Sequence, residues 1–229
     1  MSVGTVVVYV HGLWLNGWES LLLRRRLSRQ LECEALSYRY SSAGVGVREN
    51  ARALARFLAR VPAATLHLVG HSMGGLVILE LFGSGQPAGE HAAPAAALPP
   101  GRIVLLGAPV RGSRAARNLA RLPFGRRILG RTAQELLLPE RDRRWHGVRE
   151  LGVIAGNVPL GFGRFMGPFA SPSDGTVLVE ETALAGAKQQ LTVRTTHSGM
   201  VYSGLVARQV ASFLRDGRFS TAADRPGIR

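Results

Sequence analysis

A serine stands between glycines in residues 70–75, whose sequence is GHSMGG. The apolar run TLHLV precedes this stretch and LVILELF follows it, which predicts a strand before Ser72 and a helix after it. A serine held at a sharp strand-to-helix turn presents its hydroxyl above the sheet, where it can act as a nucleophile. Gly70 and Gly74 lack a Cβ and so permit the close backbone approach that such a turn requires. The alternative interpretation is a tight glycine turn with an incidental serine.

A serine hydroxyl needs a general base near neutral pH, and the base needs an orienting acid. His197 is the candidate base, because it lies in RTTHSGMVYS between a predicted strand and a predicted helix. That position corresponds to the carboxyl edge of a parallel sheet; a capping or structural role is the alternative. The remaining histidines fit other roles: His11 and His71 lie in glycine motifs, His67 within a strand, His91 in an Ala/Pro segment and His146 in a charged segment.

The candidate acid is Asp174, in the turn-rich segment SPSDGTV. It lies between Ser72 and His197, as the chain order that accompanies this type of turn requires. Asp174 could instead be a simple Asp-Gly turn residue. Glu180 and Glu181 are the backup candidates, while Asp142 among arginines is interpreted as a salt-bridged surface residue.

An oxyanion formed during acyl transfer would need two backbone N–H donors. The residue after the nucleophile, Met73, is expected to supply one of them. The loop after the first strand, HGLW, is expected to supply the other through Leu13, with Trp14 as the alternative. Gly12 allows the loop to bend tightly, and His11 is expected to order it through hydrogen bonds rather than act as a second base.

Strands and helices alternate along the chain, which predicts a mostly parallel sheet with helices on both faces. The chemistry then belongs at the carboxyl ends of the strands. A single α/β domain is expected over residues 1–219, with a flexible Ala/Pro/Gly loop at 83–101 and a disordered tail at 220–229. The basic segment 113–138 is interpreted either as a small lid or as a surface helix. Strands are predicted at 5–10, 33–39, 65–69, 103–106, 151–155 and 191–194, and helices at 18–31, 47–60, 73–82 and 201–214.

The net charge of +14 comes almost entirely from arginine, and residues 111–144 are especially rich in it. We interpret the charge either as a solvated surface or as a peripheral contact with an anionic membrane; nucleic acid is disfavoured, since no known nucleic-acid-binding module is recognised. The single cysteine, Cys33, excludes an intramolecular disulfide. No signal peptide or membrane-spanning run is recognised, so a cytoplasmic protein is expected.

The segments VVVYVHGLW, GHSMGG, IVLLGAPVRGS, SDGTV and THSGMVYS together resemble the α/β-hydrolase superfamily, most closely small bacterial lipases and esterases. The resemblance implies an α/β-hydrolase fold with a minimal or absent cap, and a triad of Ser72, Asp174 and His197. It also implies a small-molecule ester or lipid substrate, cleaved through an acyl-enzyme with no metal and no organic cofactor. The acyl pocket is expected to involve Trp14, Phe162, Phe165 and Met166.

The same triad could serve an acyltransferase or a thioesterase, and the residues alone do not separate these reactions. A non-catalytic protein that binds anionic surfaces is a further alternative, suggested by the arginine-rich segment.

Overall fold

The computed structural model describes residues 4–83, 97–161 and 171–221. Within these residues six parallel strands form one sheet in the order β2-β1-β3-β4-β5-β6. The predicted class, a parallel sheet flanked by helices on both faces, is confirmed. The strands are β1 Thr5–Val10, β2 Glu34–Tyr38, β3 Thr65–His71, β4 Ile103–Leu106, β5 Leu151–Gly156 and β6 Gln189–Val193. The helices are α1 Leu21–Leu31, α2 Val47–Leu58, α3 Met73–Leu81, α4 Arg114–Arg121, α5 Gly125–Leu137 and α6 Gly204–Asp216.

The continuous apolar runs of the central strands reflect burial on both faces of the sheet. In β1, Val6, Val8 and Val10 belong to the core on the side of α2, α3 and α5. Val7 and Tyr9 point to the opposite core, which α1 and α6 cover. This alternation follows from the two-residue period of a strand and explains why TVVVYV carries no exposed face.

The chain changes direction across the sheet between β1 and β3, which lie side by side. After β1 the chain passes to the edge strand β2, whereas after β3 it passes to β4 on the other side. A crevice forms where strand order reverses in this way, outside the carboxyl ends of the strands. The loop that contains Gly12 and the turn that contains Ser72 therefore begin next to each other.

The basic segment 113–138 forms two helices, α4 and α5. Pro123 interrupts it, Phe124 adopts a left-handed backbone conformation at φ 60°, and Gly130 introduces a kink within α5 at φ 74°. Buried side chains of α5, among them Leu136 and Leu137, pack in the same core as α2 and α3. The segment thus contributes to the core, and its interpretation as a lid stays a prediction.

Some boundaries differ from those predicted. A 3-10 turn at Trp18–Ser20 precedes α1, and another at Ser198–Val201 precedes α6, which begins only after the Ser203 hydroxyl caps it. Most of the predicted loop 83–101 and of the tail 220–229 lies outside the described residues, and the single-domain interpretation stays a prediction. In the part of the chain described here, no helix has the length and apolar character needed to span a membrane.

Candidate active site

Ser72 occupies a strained turn between β3 and α3. Its backbone has φ 53° and ψ −126°, a conformation that residues with a side chain rarely adopt and that costs on the order of 1–3 kcal/mol. The glycines around it are required by close packing. A Cβ on Gly70 would lie 2.5 Å from Gly75 Cα, and a Cβ on Gly74 would lie 2.2 Å from the carbonyl oxygen of Val10. The turn therefore depends on both glycines for steric reasons.

His197 and Asp174 form a buried hydrogen-bonded pair at the carboxyl edge. His197 Nδ1 lies 2.7 Å from Asp174 Oδ2, and the His197 backbone N–H donates to the Asp174 carbonyl oxygen at 2.8 Å. The other carboxylate oxygen, Oδ1, accepts the backbone N–H groups of Thr176 and Val177 at 2.9 and 2.7 Å. Two anchors hold Oδ1, so the carboxylate cannot rotate away, and Oδ2 remains directed at the imidazole.

The other acidic candidates have different partners. Glu181 accepts the backbone N–H groups of Arg114 and Leu178 and so holds the start of α4 against the loop after β5. Burial raises the pKa of its carboxyl group. Asp142 lies at the surface, 3.6 Å from Arg111. Asp174 is thus the carboxylate that the fold places beside His197.

Two glycines whose importance the sequence did not indicate allow the loops to meet. A Cβ on Gly107, which follows β4 at φ 54°, would lie 3.0 Å from Asp174 Oδ2 and 3.1 Å from His197 Nδ1. A Cβ on Gly156, at the end of β5, would lie 2.8 Å from Asp174 Cβ. The histidine–aspartate pair sits directly over these two strand ends because neither position carries a side chain.

The loop after β1 is fixed by His11. Its Nδ1 donates to the Gly12 carbonyl oxygen at 2.8 Å, while Nε2 accepts the Tyr40 backbone N–H at 3.3 Å, and this second bond sets the tautomer. The Tyr40 ring stacks on the imidazole with centroids 4.4 Å apart. Burial lowers the pKa of His11, so the ring is neutral near pH 7.

The hydrogen bonds of this loop favour Leu13 over Trp14 as the predicted oxyanion donor, a role that stays a prediction. The Trp14 N–H already donates to the Ser42 hydroxyl at 3.2 Å. The Gly12 carbonyl and the Leu13 N–H belong to the same trans peptide, so they point in opposite directions. Because the Gly12 carbonyl accepts the hydrogen bond from His11, the Leu13 N–H points away from His11. Gly12 itself lies against the nucleophile, since a Cβ there would be 3.0 Å from Ser72 Cβ. Met73 is the first residue of α3, so its N–H has no partner within the helix.

His71 links the serine turn to the histidine loop. Its Nε2 donates to the His197 carbonyl oxygen at 3.1 Å, and the two rings lie 4.8 Å apart. Burial, followed by the nearby His197, lowers the pKa of His71 to about 3. The neutral ring therefore acts as a fixed donor. Only the motif position of His71 was visible in the sequence; this contact across 126 residues was not.

An apolar pocket of about 370 Å³ opens beside Ser72 and His197. Leu13 and Trp14 line it from the loop after β1, and Ala116, Leu119 and Leu129 line it from α4 and α5. No sequence motif indicated that these helices line the pocket, although Ala115, Ala116 and Leu119 share one face of α4. The predicted pocket residues Phe162, Phe165 and Met166 lie outside the described residues. Within the described ranges no cluster of three His, Cys, Asp or Glu side chains is arranged to hold a metal ion.

A family model described as "Alpha/beta hydrolase family" matches residues 7–225. Comparison with curated proteins gave no significant match. Among solved structures, the lipase BlEst2 of Bacillus licheniformis in its mature form superposes with a TM-score of 0.72 at 17% identity, covering 94% of this chain and 92% of that one.

Two further structures resemble the chain. For the type II thioesterase BorB from the borrelidin biosynthetic cluster, the TM-score is 0.56 at 16% identity, with 94% and 93% of the two chains covered. For the carboxylesterase CesB of Bacillus subtilis, the TM-score is 0.53 at 12% identity, with 95% and 85% covered. At these identities the likeness shows a shared fold.

Proposed function

The chain belongs to the alpha/beta hydrolase family, and from this premise we propose that it is a serine hydrolase that cleaves carboxylic esters as lipases and esterases do. One observation carries the proposal. His197, paired with the buried Asp174 at 2.7 Å, lines the same apolar pocket as Ser72. This combination supplies a nucleophile, an oriented base and space for an acyl group.

In the first half of the proposed reaction, His197 Nε2 takes the proton of the Ser72 hydroxyl as its oxygen attacks the acyl carbon. The resulting tetrahedral oxyanion accepts the backbone N–H groups of Leu13 and Met73. Asp174 keeps the Nδ1–H tautomer and stabilises the imidazolium. The imidazolium then protonates the leaving alcohol, and the acyl group remains as an ester on Ser72.

In the second half, a water molecule attacks the acyl-enzyme while His197 removes a proton from the water. The same two N–H groups hold the second oxyanion. Collapse of this intermediate returns the proton to Ser72 and releases the carboxylic acid. Neither half-reaction requires a further group to supply or accept a proton.

The test is a panel of p-nitrophenyl esters of increasing acyl length, measured with the wild type and with Ser72→Ala. We expect Ser72→Ala to lose on the order of a thousandfold or more in kcat. Ser198→Ala is the matched control, because Ser198 lines the same pocket and has no role in the proposed reaction. Full activity of Ser72→Ala would reject the assignment.

A related candidate is acyl transfer or thioester cleavage on the same triad. The fold-level similarity to the thioesterase BorB motivates it, and the first half-reaction would be unchanged. Product analysis with competing alcohols or thiols, together with a thioester substrate, separates these outcomes from ester hydrolysis.

A further inference from the structure

The turn between α4 and α5 exposes apolar and basic side chains together. We call residues 121–128, RLPFGRRI, the arginine tip. Three of its apolar side chains face solvent: Leu122 is 56% exposed, Phe124 77% and Ile128 50%. Leaving such side chains in water forgoes the stabilisation that burial would bring. Packing within the described residues therefore does not explain why these three exposed positions carry apolar side chains.

The backbone at Phe124 strengthens this argument. Phe124 has φ 60°, in the left-handed region where glycine or asparagine is the ordinary choice. Trp14 has the same unusual conformation, at φ 59°, and is 51% exposed. Trp14 contacts the arginine tip, because its indole N–H donates to the Ile128 carbonyl oxygen at 3.1 Å. One exposed aromatic residue in this conformation therefore lies within the arginine tip, and a second one contacts the tip through Ile128.

Trp14 lines the pocket, and the arginine tip follows and precedes pocket-lining residues in the chain. Leu119 and Leu129, on either side of the arginine tip, line the pocket wall. Other exposed apolar residues also lie on this edge of the sheet: Leu15 and Trp18 follow β1, Leu160 follows β5, and Tyr202 follows β6. Val148, which precedes β5, is 97% exposed at the opposite edge. The apolar surface is therefore concentrated where a substrate would enter.

The positive charge of the arginine tip indicates which kind of surface it binds. Arg121, Arg126 and Arg127 are exposed between the apolar residues, and none of them forms an ion pair within the described parts of the chain. No acidic residue occurs from 113 to 134. Arginines interleaved with exposed Leu, Phe and Ile match a lipid interface with anionic headgroups, since that surface accepts both kinds of group. Duplex nucleic acid would contact the arginines but would leave the exposed side chains of Leu122 and Ile128 in water.

We propose that the arginine tip, together with Trp14, docks the protein on an anionic phospholipid surface with the pocket mouth facing the lipid. The docking is independent of the proposed hydrolysis, because it uses neither Ser72 nor His197. It is therefore measured on the full-length Ser72→Ala variant, which leaves the lipids intact. Failure of docking and failure of catalysis are then separate results.

The experiment is co-sedimentation with vesicles of phosphatidylcholine alone and of phosphatidylcholine mixed equally with phosphatidylglycerol, over a salt series. We expect stronger binding to the mixed vesicles, weakening as salt rises. The double variant Arg126→Gln/Arg127→Gln should reduce that binding about 30-fold, because each arginine near an anionic surface contributes about fivefold to the affinity. Phe124→Ser should reduce it about tenfold at every salt concentration, because its contribution is apolar.

Matched controls carry the same chemical changes elsewhere. Val148→Ser removes an exposed apolar side chain, and Arg56→Gln/Arg60→Gln removes two exposed charges on and after α2. Both controls should bind as Ser72→Ala alone does. In the active background, the tip variants should hydrolyse a soluble short ester at the wild-type rate, which shows that they are folded. Equal losses in tip and control variants, no binding to mixed vesicles at low salt, or binding only to duplex DNA would each overturn the proposal.

Discussion

Gly107 provides a sharp test of the proposed triad, because substituting it reaches both members of the histidine–aspartate pair. Gly107→Ala would place a Cβ 3.0 Å from Asp174 Oδ2, 3.1 Å from His197 Nδ1 and 3.1 Å from Met200 Cε. Ordinary contacts of a Cβ lie at 3.4–4 Å, so the neighbours must shift by a few tenths of an ångström. The atoms that must shift include both partners of the Asp174–His197 hydrogen bond, which is only 2.7 Å long.

A matched control separates this clash from backbone strain. Gly83 also has a positive φ, 71°, and a Cβ there meets nothing within 4 Å. Both alanine variants should lose about 1–2 kcal/mol of folding stability from the left-handed conformation. Only Gly107→Ala should also misalign the base. Because a misplacement of about 1 Å can cost on the order of 100-fold in rate, we expect kcat to fall about 10- to 100-fold, or about 1.4–2.7 kcal/mol.

The assay is steady-state hydrolysis of a short p-nitrophenyl ester, with urea unfolding of each variant to measure stability. For Gly107→Ala, kcat should fall while KM stays near the wild-type value, since the new methyl group touches the catalytic pair. Gly83→Ala should retain kcat within about twofold, as expected for a change far from the reacting atoms. If a folded Gly107→Ala had the same kcat as Gly83→Ala, the role of the Asp174–His197 contact would be refuted.

Three further predictions concern the surrounding residues. His11→Leu frees the Gly12 carbonyl and should lower kcat about 10- to 100-fold by disordering the Leu13 N–H; an unchanged kcat would contradict the positioning role. His71 has a pKa lowered to about 3 in the folded protein and near 6.5 when unfolded. The unfolded state therefore binds protons first as pH falls below about 6.5, and stability should drop by about 2 kcal/mol by about pH 5. Urea unfolding of His71→Gln should show a shallower pH dependence, and an unaltered slope would count against this linkage. Leu129→Phe narrows the pocket and should lower the ratio of long-chain to short-chain ester hydrolysis about tenfold; an unchanged ratio would place the acyl group elsewhere.

The fold class followed from the sequence because its signals are local. Continuous apolar runs such as TVVVYV predict buried strands, and the periodic segments between them predict helices. The Gly70–Ser72–Gly74 pattern is local as well, since it reports the steric demands of one turn. The family resemblance drawn from these motifs is confirmed by the family model. Their order along the chain also singled out Asp174 and His197 as candidates, whose roles stay predictions.

The tertiary structure decided which of these groups meet. Sheet order brings the ends of β4, β5 and β6 together, and only there does Asp174, rather than Glu180 or Glu181, face His197. The close approach at Gly107 and the wall that α4 and α5 give the pocket arise in the same way. Periodicity describes which face of an element is apolar, but not which element it packs against. Contacts between residues far apart in the chain depend on strand order and register, and these emerge only when the whole sheet is assembled.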